Sequence, residues 1–212
     1  LAFCSTSSTA RPSALLMASA SASSRMPFLI PCSSSPAPAS ISTRKKSTID
    51  ATAVGFRLAP RINAAGRLGR PDVALDLVLC DDQATADGLA RQLEELNRER
   101  QSVEERILRD AVATVEAWPA ERRADRAYVV WGEEWHEGVI GIVASRLVER
   151  FSRPVVLITR SREGWKGSGR SIGTFDLHGG LAACADQLER FGGHRAAAGL
   201  SIREENLVGF AT

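Results

Sequence analysis

Leu89, Leu93, Leu96, Val103, Ile107 and Ala111 recur at spacings of three, four and seven within "DQATADGLARQLEELNRERQSVEERILRDAVATVEAW", residues 82–118. That is the period of one apolar helix face. Glu94, Arg98, Glu105 and Arg109 fall on the opposite face. At ~1.5 Å per residue such a helix is ~50 Å long. It either packs its stripe along a neighbour or spaces two domains. The change in sequence character after residue 118 favours the spacer.

Beyond residue 118 short apolar runs replace the long helical stripe. "RAYVVW" (126–131) is a β-rich run that stops at Gly132. "GVIGIVASRLVERF" (138–151) sets Val139, Ile142, Val143, Leu147 and Phe151 mostly on one side and reads as a helix. "PVVLITR" (154–160) is a second apolar strand, "SREG" a turn, and "WKGSGRSI" (165–172) a third strand or a glycine-rich turn. "FDLHGGLAACADQLERF" (175–191) reads as a helix, and "GGHRAAAGLSI" (192–202) as a loop entering a strand. Strand, helix, strand, strand, helix, strand predicts a small α/β domain with helices on a mixed sheet over residues 126–212.

Ahead of the long helix, Pro60, Gly66 and Gly69 are expected to break residues 50–81 into short pieces. Residues 54–58 read as a short helix or extended, and 63–68 as a turn or short helix. "PDVALDLVLC" reads as a helix with Pro71 near its first turn.

Residues 1–49 differ in composition. They hold 14 serines and five basic residues, Arg11, Arg25, Arg44, Lys45 and Lys46, with no acidic one. Such a segment buries too little apolar surface to offset its ordering entropy, so disorder is expected. It reads as a tail, an organelle-targeting peptide or, most simply, out-of-frame translation. The chain starts with leucine, which is expected of a fragment or a processed product. The remaining residues carry 22 basic against 25 acidic side chains, so any nucleic-acid partner needs a local basic patch. Cys4, Cys32, Cys80 and Cys184 form no CxxC pair, which argues against a zinc ribbon or disulfide scaffold and for a reducing compartment. No stretch approaches about 18 apolar residues, the length of a membrane helix.

Three short strings have donors suited to phosphate. Arg61, Asn63 and Arg67 sit in "RINAAGR"; the bland alternative is that they brace a turn. Lys166, Ser168, Arg170 and Ser171 sit in "WKGSGRSI", where glycines allow close backbone approach, or where a hairpin merely carries a solvated arginine. If residues 168–171 are extended, Ser168 and Arg170 share a side. Gly192, Gly193 and His194 form "GGH", whose histidine can donate to phosphate or stack on a base. His136 reads as a helix cap and His178 as a helix-surface residue. No GxxxxGK loop, nucleophile elbow or two-metal cluster of aspartates and histidines is present. The residues describe a binding module with no catalytic residue and no metal ligand.

"GFRLAPRINAAGRLGRPDVALDLVL", "NRERQSVEERIL", "GEEWHEGVIGIVASRLVERFSRPVVLIT", "KGSGRSIGTFDLHGGLAAC" and "ERFGGHRAAAGLSI" together resemble the RecJ family over residues 50–212. The resemblance implies a single-stranded-DNA-specific exonuclease degrading from the 5′ end in DNA repair and recombination. It implies a DHH phosphoesterase domain with two metal ions, manganese or magnesium, joined by a long helix to a DHH-associated domain. Residues 50–81 would then be the end of the catalytic domain, 82–118 the connector and 126–212 the DHH-associated domain. "GSGRS" would face the DNA cleft, with "RINAAGR" on the catalytic side and "GGH" closing it. The family's Asp-His-His signature belongs upstream of residue 50, where this chain has serine-rich sequence instead. The resemblance therefore implies a C-terminal part that binds single-stranded DNA without cutting it and holds no cofactor of its own. A cytoplasmic setting with helicase and single-strand-binding-protein partners is implied for the intact protein. The rival readings are a related oligoribonuclease or cyclic-dinucleotide phosphodiesterase, and a fragment that binds nothing.

Overall fold

A computed structural model describes residues 49–211. The expectations for residues 1–49 lie outside the described residues, Ile49 excepted.

Asp50 caps α1 (Ala51–Ala53), its carboxylate accepting from the Ala53 N–H at 2.7 Å. A π-helical stretch, Val54–Leu58, leads without interruption into α2 (Ala59–Arg67). Pro60 and Gly66 were expected to break this segment and do not. Pro60 sits in the first turn of α2, where a missing N–H costs least. The break comes at Gly69, whose φ of 80° lets the Arg70 N–H fold back onto the Ala65 carbonyl at 2.8 Å. Next come α3 (Pro71–Leu79), with Pro71 in its first turn, and α4 (Gln83–Glu116), capped by Asp82. Ala65 of α2, Val73 and Ala74 of α3 and Leu93 of α4 form a small core. The outer faces of these helices leave Phe56, Leu75, Val78 and Leu79 exposed.

After the short α5 (Ala120–Arg123), strand β1 (Tyr128–Gly132) is followed by α6 (Glu137–Phe151), β2 (Val155–Ser161) and β3 (Gly164–Arg170). Then come α7 (Leu177–Ala183), a 3-10 turn, β4 (Leu188–Gly193), β5 (Ala197–Ile202), a second 3-10 turn and α8 (Leu207–Phe210). The sheet order is β1-β2-β3-β5-β4. Only β1 and β2 are parallel, joined through α6; the other pairs are antiparallel. The fold is thus α/β with a five-stranded mixed sheet.

Side-chain alternation builds a core on each face of the sheet. On one face Ile107, Ala111 and Val115 of α4 meet Val139, Val143 and Leu147 of α6 over Val130, Val155 and Leu157. On the other, Leu177 and Leu181 of α7 and Leu207 of α8 cover Val156, Ile158, Leu200 and Ile202. Being covered on both faces, β2 is buried from Val155 to Thr159, hence its unbroken apolar run.

One sequence alternative is decided and one expectation changes. The "WKGSGR" segment is strand β3 and not a turn, because its residues pair with β2 on one side and β5 on the other. The helix expected over 175–191 ends at Ala183, and "LERF" belongs to β4. Its pairing with β5 supplies the hydrogen bonds that a continued helix would otherwise have made.

Candidate functional site

The N-terminus of α6 lies where three elements meet. Thr159 donates its hydroxyl to the Trp135 carbonyl at 2.7 Å, pinning the segment that enters α6 against β2. His136 caps the helix: its Nδ1 accepts from the Gly138 N–H at 3.1 Å, so the ring proton sits on Nε2. Arg67, at the end of α2, donates to the Gly138 carbonyl at 3.0 Å. This contact requires glycine at 138, since a Cβ there would stand 2.2 Å from the Arg67 carbonyl oxygen. One turn on, a Cβ at Gly141 would lie 2.9 Å from both the Arg170 guanidinium and the Ser168 hydroxyl. The helix therefore comes down onto β3 through its glycine face.

Around this junction is an open cavity of about 680 Å³, lined among others by Arg67, His136, Glu137, Arg162, Ser168 and Arg170. Three arginines arrive from three separate elements: the α2 terminus, the β2–β3 turn and β3. Arg170 is half-buried and donates to the Ser168 hydroxyl at 3.1 Å and to the Gly169 carbonyl at 2.8 Å. Burial, and after it the charge of Arg67, lowers the Arg170 pKa from the ordinary arginine value. The guanidinium stays a cation at any ordinary pH. Two like charges held together with partial desolvation are relieved by an anion, and the α6 N-terminus adds its dipole in the same sense. The arrangement suits a phosphate oxygen set.

A second open cavity of about 770 Å³ adjoins the first and shares Glu137, Gly138 and Ser168 with it. Lys166, Arg190, Gly192, Gly199 and Ser201 line it. Lys166 is not a free charge, because its Nζ lies 2.8 Å from Glu163 and 3.5 Å from Glu137. The hydrogen bond with Glu163 is the main reason that the Lys166 pKa is raised and the Glu163 pKa lowered.

The residues singled out in the sequence divide accordingly. Arg67, Ser168 and Arg170 meet in the first cavity, and Lys166, Ser168 and Gly192 line the second. Arg61 turns to α4, with its Nε 2.6 Å from Glu94. Asn63 is exposed on α2 and lines neither cavity. Ser171 donates to the Phe175 carbonyl at 3.0 Å. Gly193 and His194 form the β4–β5 turn, closed by the His194 N–H on the Ala197 carbonyl at 2.8 Å. His178 lies against Phe191, with ring centroids 5.7 Å apart. Sequence reasoning overlooked Arg162, hidden in a "SREG" string that reads as an ordinary turn. It treated His136 only as a cap. The pairing of a cap with a glycine two residues later was the signal available.

Residues 125–211 match the family described as the DHHA1 domain. The chain is 41% identical over 156 residues to the single-stranded-DNA-specific exonuclease RecJ of Bacillus subtilis strain 168, covering 73% of this chain and 20% of that protein. Against the RecJ of Escherichia coli K12 it is 38% identical over 173 residues, covering 78% and 30%. The crystal structure of RecJ with Mg2+ from Thermus thermophilus superposes with a TM-score of 0.67 at 43% identity, covering 75% of this chain and 24% of that one. An exonuclease RecJ bound to manganese gives 0.66 at 41% identity, covering 78% and 40%. The chain thus spans less than a third of the length of these curated relatives. Among the described residues no three His, Cys, Asp or Glu side chains group to hold a metal ion. The described residues therefore do not fit the divalent ions held in the solved RecJ structures. Among the described residues no helix is long and apolar enough to cross a membrane.

Proposed function

The chain belongs to the RecJ family, and from that premise we propose that its described part is a single-stranded-DNA-binding unit which grips phosphates and does not itself cut them. The observation that carries the reading is the convergence of Arg67, Arg162 and Arg170 at the α6 N-terminus. A guanidinium fork grips two phosphate oxygens, the Ser168 hydroxyl and His136 Nε2 add donors, and none of these contacts depends on base identity. Binding that ignores sequence suits an enzyme that degrades a strand of any composition.

Within this proposal residues 50–81 are the end of a catalytic domain, 82–118 the connector and 126–212 the DNA-binding domain. The hydrolytic metal ions would be held by residues outside those described. The 5′-to-3′ exonuclease activity, the role in DNA repair and recombination, the cytoplasmic setting and the helicase and single-strand-binding-protein partners of the intact protein are further parts of the same proposal, supported by the likeness to single-stranded-DNA-specific exonucleases.

A fluorescence-anisotropy titration of the full chain with a labelled deoxythymidine strand tests the reading. Affinity should fall with salt, with a log–log slope of about −2 if three arginines each displace a counterion from single-stranded DNA. Arg170→Ala should weaken binding about tenfold or more, matching the loss of a charge-assisted hydrogen bond worth about 1.5–3 kcal/mol. Binding indifferent to both salt and Arg170→Ala, with the fold intact, would sink the reading. Stronger binding to RNA of equal length would move the assignment to an oligoribonuclease.

A further inference from the structure

The inward stripe of α4 changes chemistry halfway along. From Leu93 it runs through Asn97, Arg100, Glu104, Ile107 and Ala111 to Val115 at spacings of three and four, so these residues share one face. Leu93 belongs to the small core with α2 and α3, and the stripe from Ile107 onward to the core under α6. Between the two cores three successive positions are polar. Asn97 is 5% exposed, Glu104 2%, and the Arg100 side chain 13%. Arg100 donates to the Asn97 side-chain carbonyl at 2.7 Å and to one Glu104 oxygen. The other Glu104 oxygen faces Arg146 of α6, which is itself exposed.

Stability alone does not ask for these residues. Apolar side chains would continue the stripe on either side, and well-packed apolar residues commonly equal or exceed a buried ion pair. What the polar set adds is discrimination between registers. An apolar stripe of three-four spacing still finds apolar partners after a slip of one turn, whereas a buried polar residue fixes one alignment. A slip of α4 by one turn brings either Arg100 or Leu108 opposite Arg146. The first sets two cations together, and the second strips Glu104 of one of its two arginines. The only other ion pair printed between these helices, Glu116 with Arg150 at 2.8 Å, is more than half exposed on both sides and discriminates little.

Register matters to the arginine cavity because its walls come from separate packing units. α2 rides on the Leu93 end of α4 and carries Arg67, while α6 and β3 carry His136, Ser168 and Arg170. Arg67 reaches the Gly138 carbonyl at 3.0 Å, and a Cβ at Gly138 would stand 2.2 Å from the Arg67 carbonyl oxygen. A one-turn slip of ~5.4 Å exceeds the length of that hydrogen bond and would carry Arg67 out of reach. We infer that Asn97, Arg100, Glu104 and Arg146 form a register lock. They are positioning residues that set α4 against α6 and so hold Arg67 in one cavity with Arg170. None of the four lines that cavity. The effect on DNA rests on the phosphate reading above; the lock itself rests on packing.

The combined variant Asn97→Leu, Arg100→Met, Glu104→Leu makes the stripe apolar throughout and leaves the exposed Arg146 to water. In the full chain its urea midpoint should be no lower than that of wild type, yet it should bind a labelled deoxythymidine strand about tenfold more weakly or worse. Amide NMR should show a second or exchange-broadened signal for Gly138 and Gly141, where wild type gives one, with the Leu157 and Leu200 amides unmoved. A purely structural network would do the reverse. A lower midpoint with unchanged affinity and single, unshifted glycine signals would overturn the lock, and so would a stable variant that matches wild type in both. If wild type binds no DNA strand, the phosphate reading falls, and the glycine signals alone decide: split signals in the variant uphold the lock, single unshifted ones refute it. Should the combined variant fail to fold, Arg146→Met and Arg146→Lys take its place. The methionine variant should split the glycine signals and the lysine variant, which keeps a cation facing Glu104, should not; equal behaviour of the two refutes the lock.

Discussion

Arg170 and Lys166 are four residues apart on one strand face, yet their surroundings give them different work. Arg170 is half-buried, with Ser168 beside it and no carboxylate within ion-pairing distance among the described residues. Lys166 is already shared by two carboxylates. Lys166→Ala should therefore lower single-stranded-DNA affinity less than about threefold, against tenfold or more for Arg170→Ala, in the same anisotropy titration. Gly193 makes the sharper structural demand. Its φ is 138°, and a Cβ would sit 2.5 Å from the Ala197 carbonyl oxygen. Gly193→Ala should cost about 1–3 kcal/mol in urea unfolding, whereas Gly192→Ala next to it should cost little.

Among the elements, α4 carries a polar device inside its apolar stripe. Glu104 is almost fully buried and pairs with Arg100 of its own helix and Arg146 of α6, each at 2.5 Å; Arg100 also donates to the buried Asn97. The cluster ties the long helix to α6, whose N-terminus holds the arginine cavity. Glu104→Ala leaves the half-buried Arg100 without its carboxylate and should cost about 2–4 kcal/mol by chemical denaturation. The first turn of α4 responds to acid. Hydrogen bonds from the Thr85 side chain and its N–H hold the Asp82 carboxyl below its ordinary value. A carboxyl whose folded pKa is depressed contributes stability above its unfolded value and loses it as pH falls through the folded one. Amide exchange at Thr85 and Ala86 should accordingly quicken as pH drops below the usual aspartate range, after correction for the intrinsic rate. The Asp82→Asn variant should not show this step.

The described region as a whole hangs on α4 serving two cores. Leu93 closes the small core with α2 and α3, while Ile107, Ala111 and Val115 close the larger one with α6 and the sheet. Ile107 is completely buried. Ile107→Ala should cost about 2–4 kcal/mol and lower the melting temperature of the entire described region. Leu93→Ala should chiefly loosen α2 and α3, raising hydrogen exchange there while β2 and β3 stay protected. Because Arg67 belongs to α2 and Arg170 to the sheet, Leu93→Ala should also weaken DNA binding without touching any DNA contact.

Features that repeat at short range were legible in the residues alone. The stripe on α4, the apolar runs of β1 and β2, the face of α6 and the His136 cap follow from spacing and residue type over short stretches. Pairing between distant segments decided the rest. "LERF" has no strand alternation of its own, and β4 forms because β5 offers it an edge. Glu104 has the charge of a surface residue and is buried because Arg100 and Arg146 converge on it. Arg61 and Arg67 look alike in "RINAAGR", but α4 presents Glu94 to the first and α6 presents the carbonyl of Gly138 to the second. Arg162 enters the cavity from a turn with no motif at all. Backbone propensity acts over a few residues, whereas a binding cavity is made by the direction in which separate elements aim their side chains, and that direction is settled only when the elements pack.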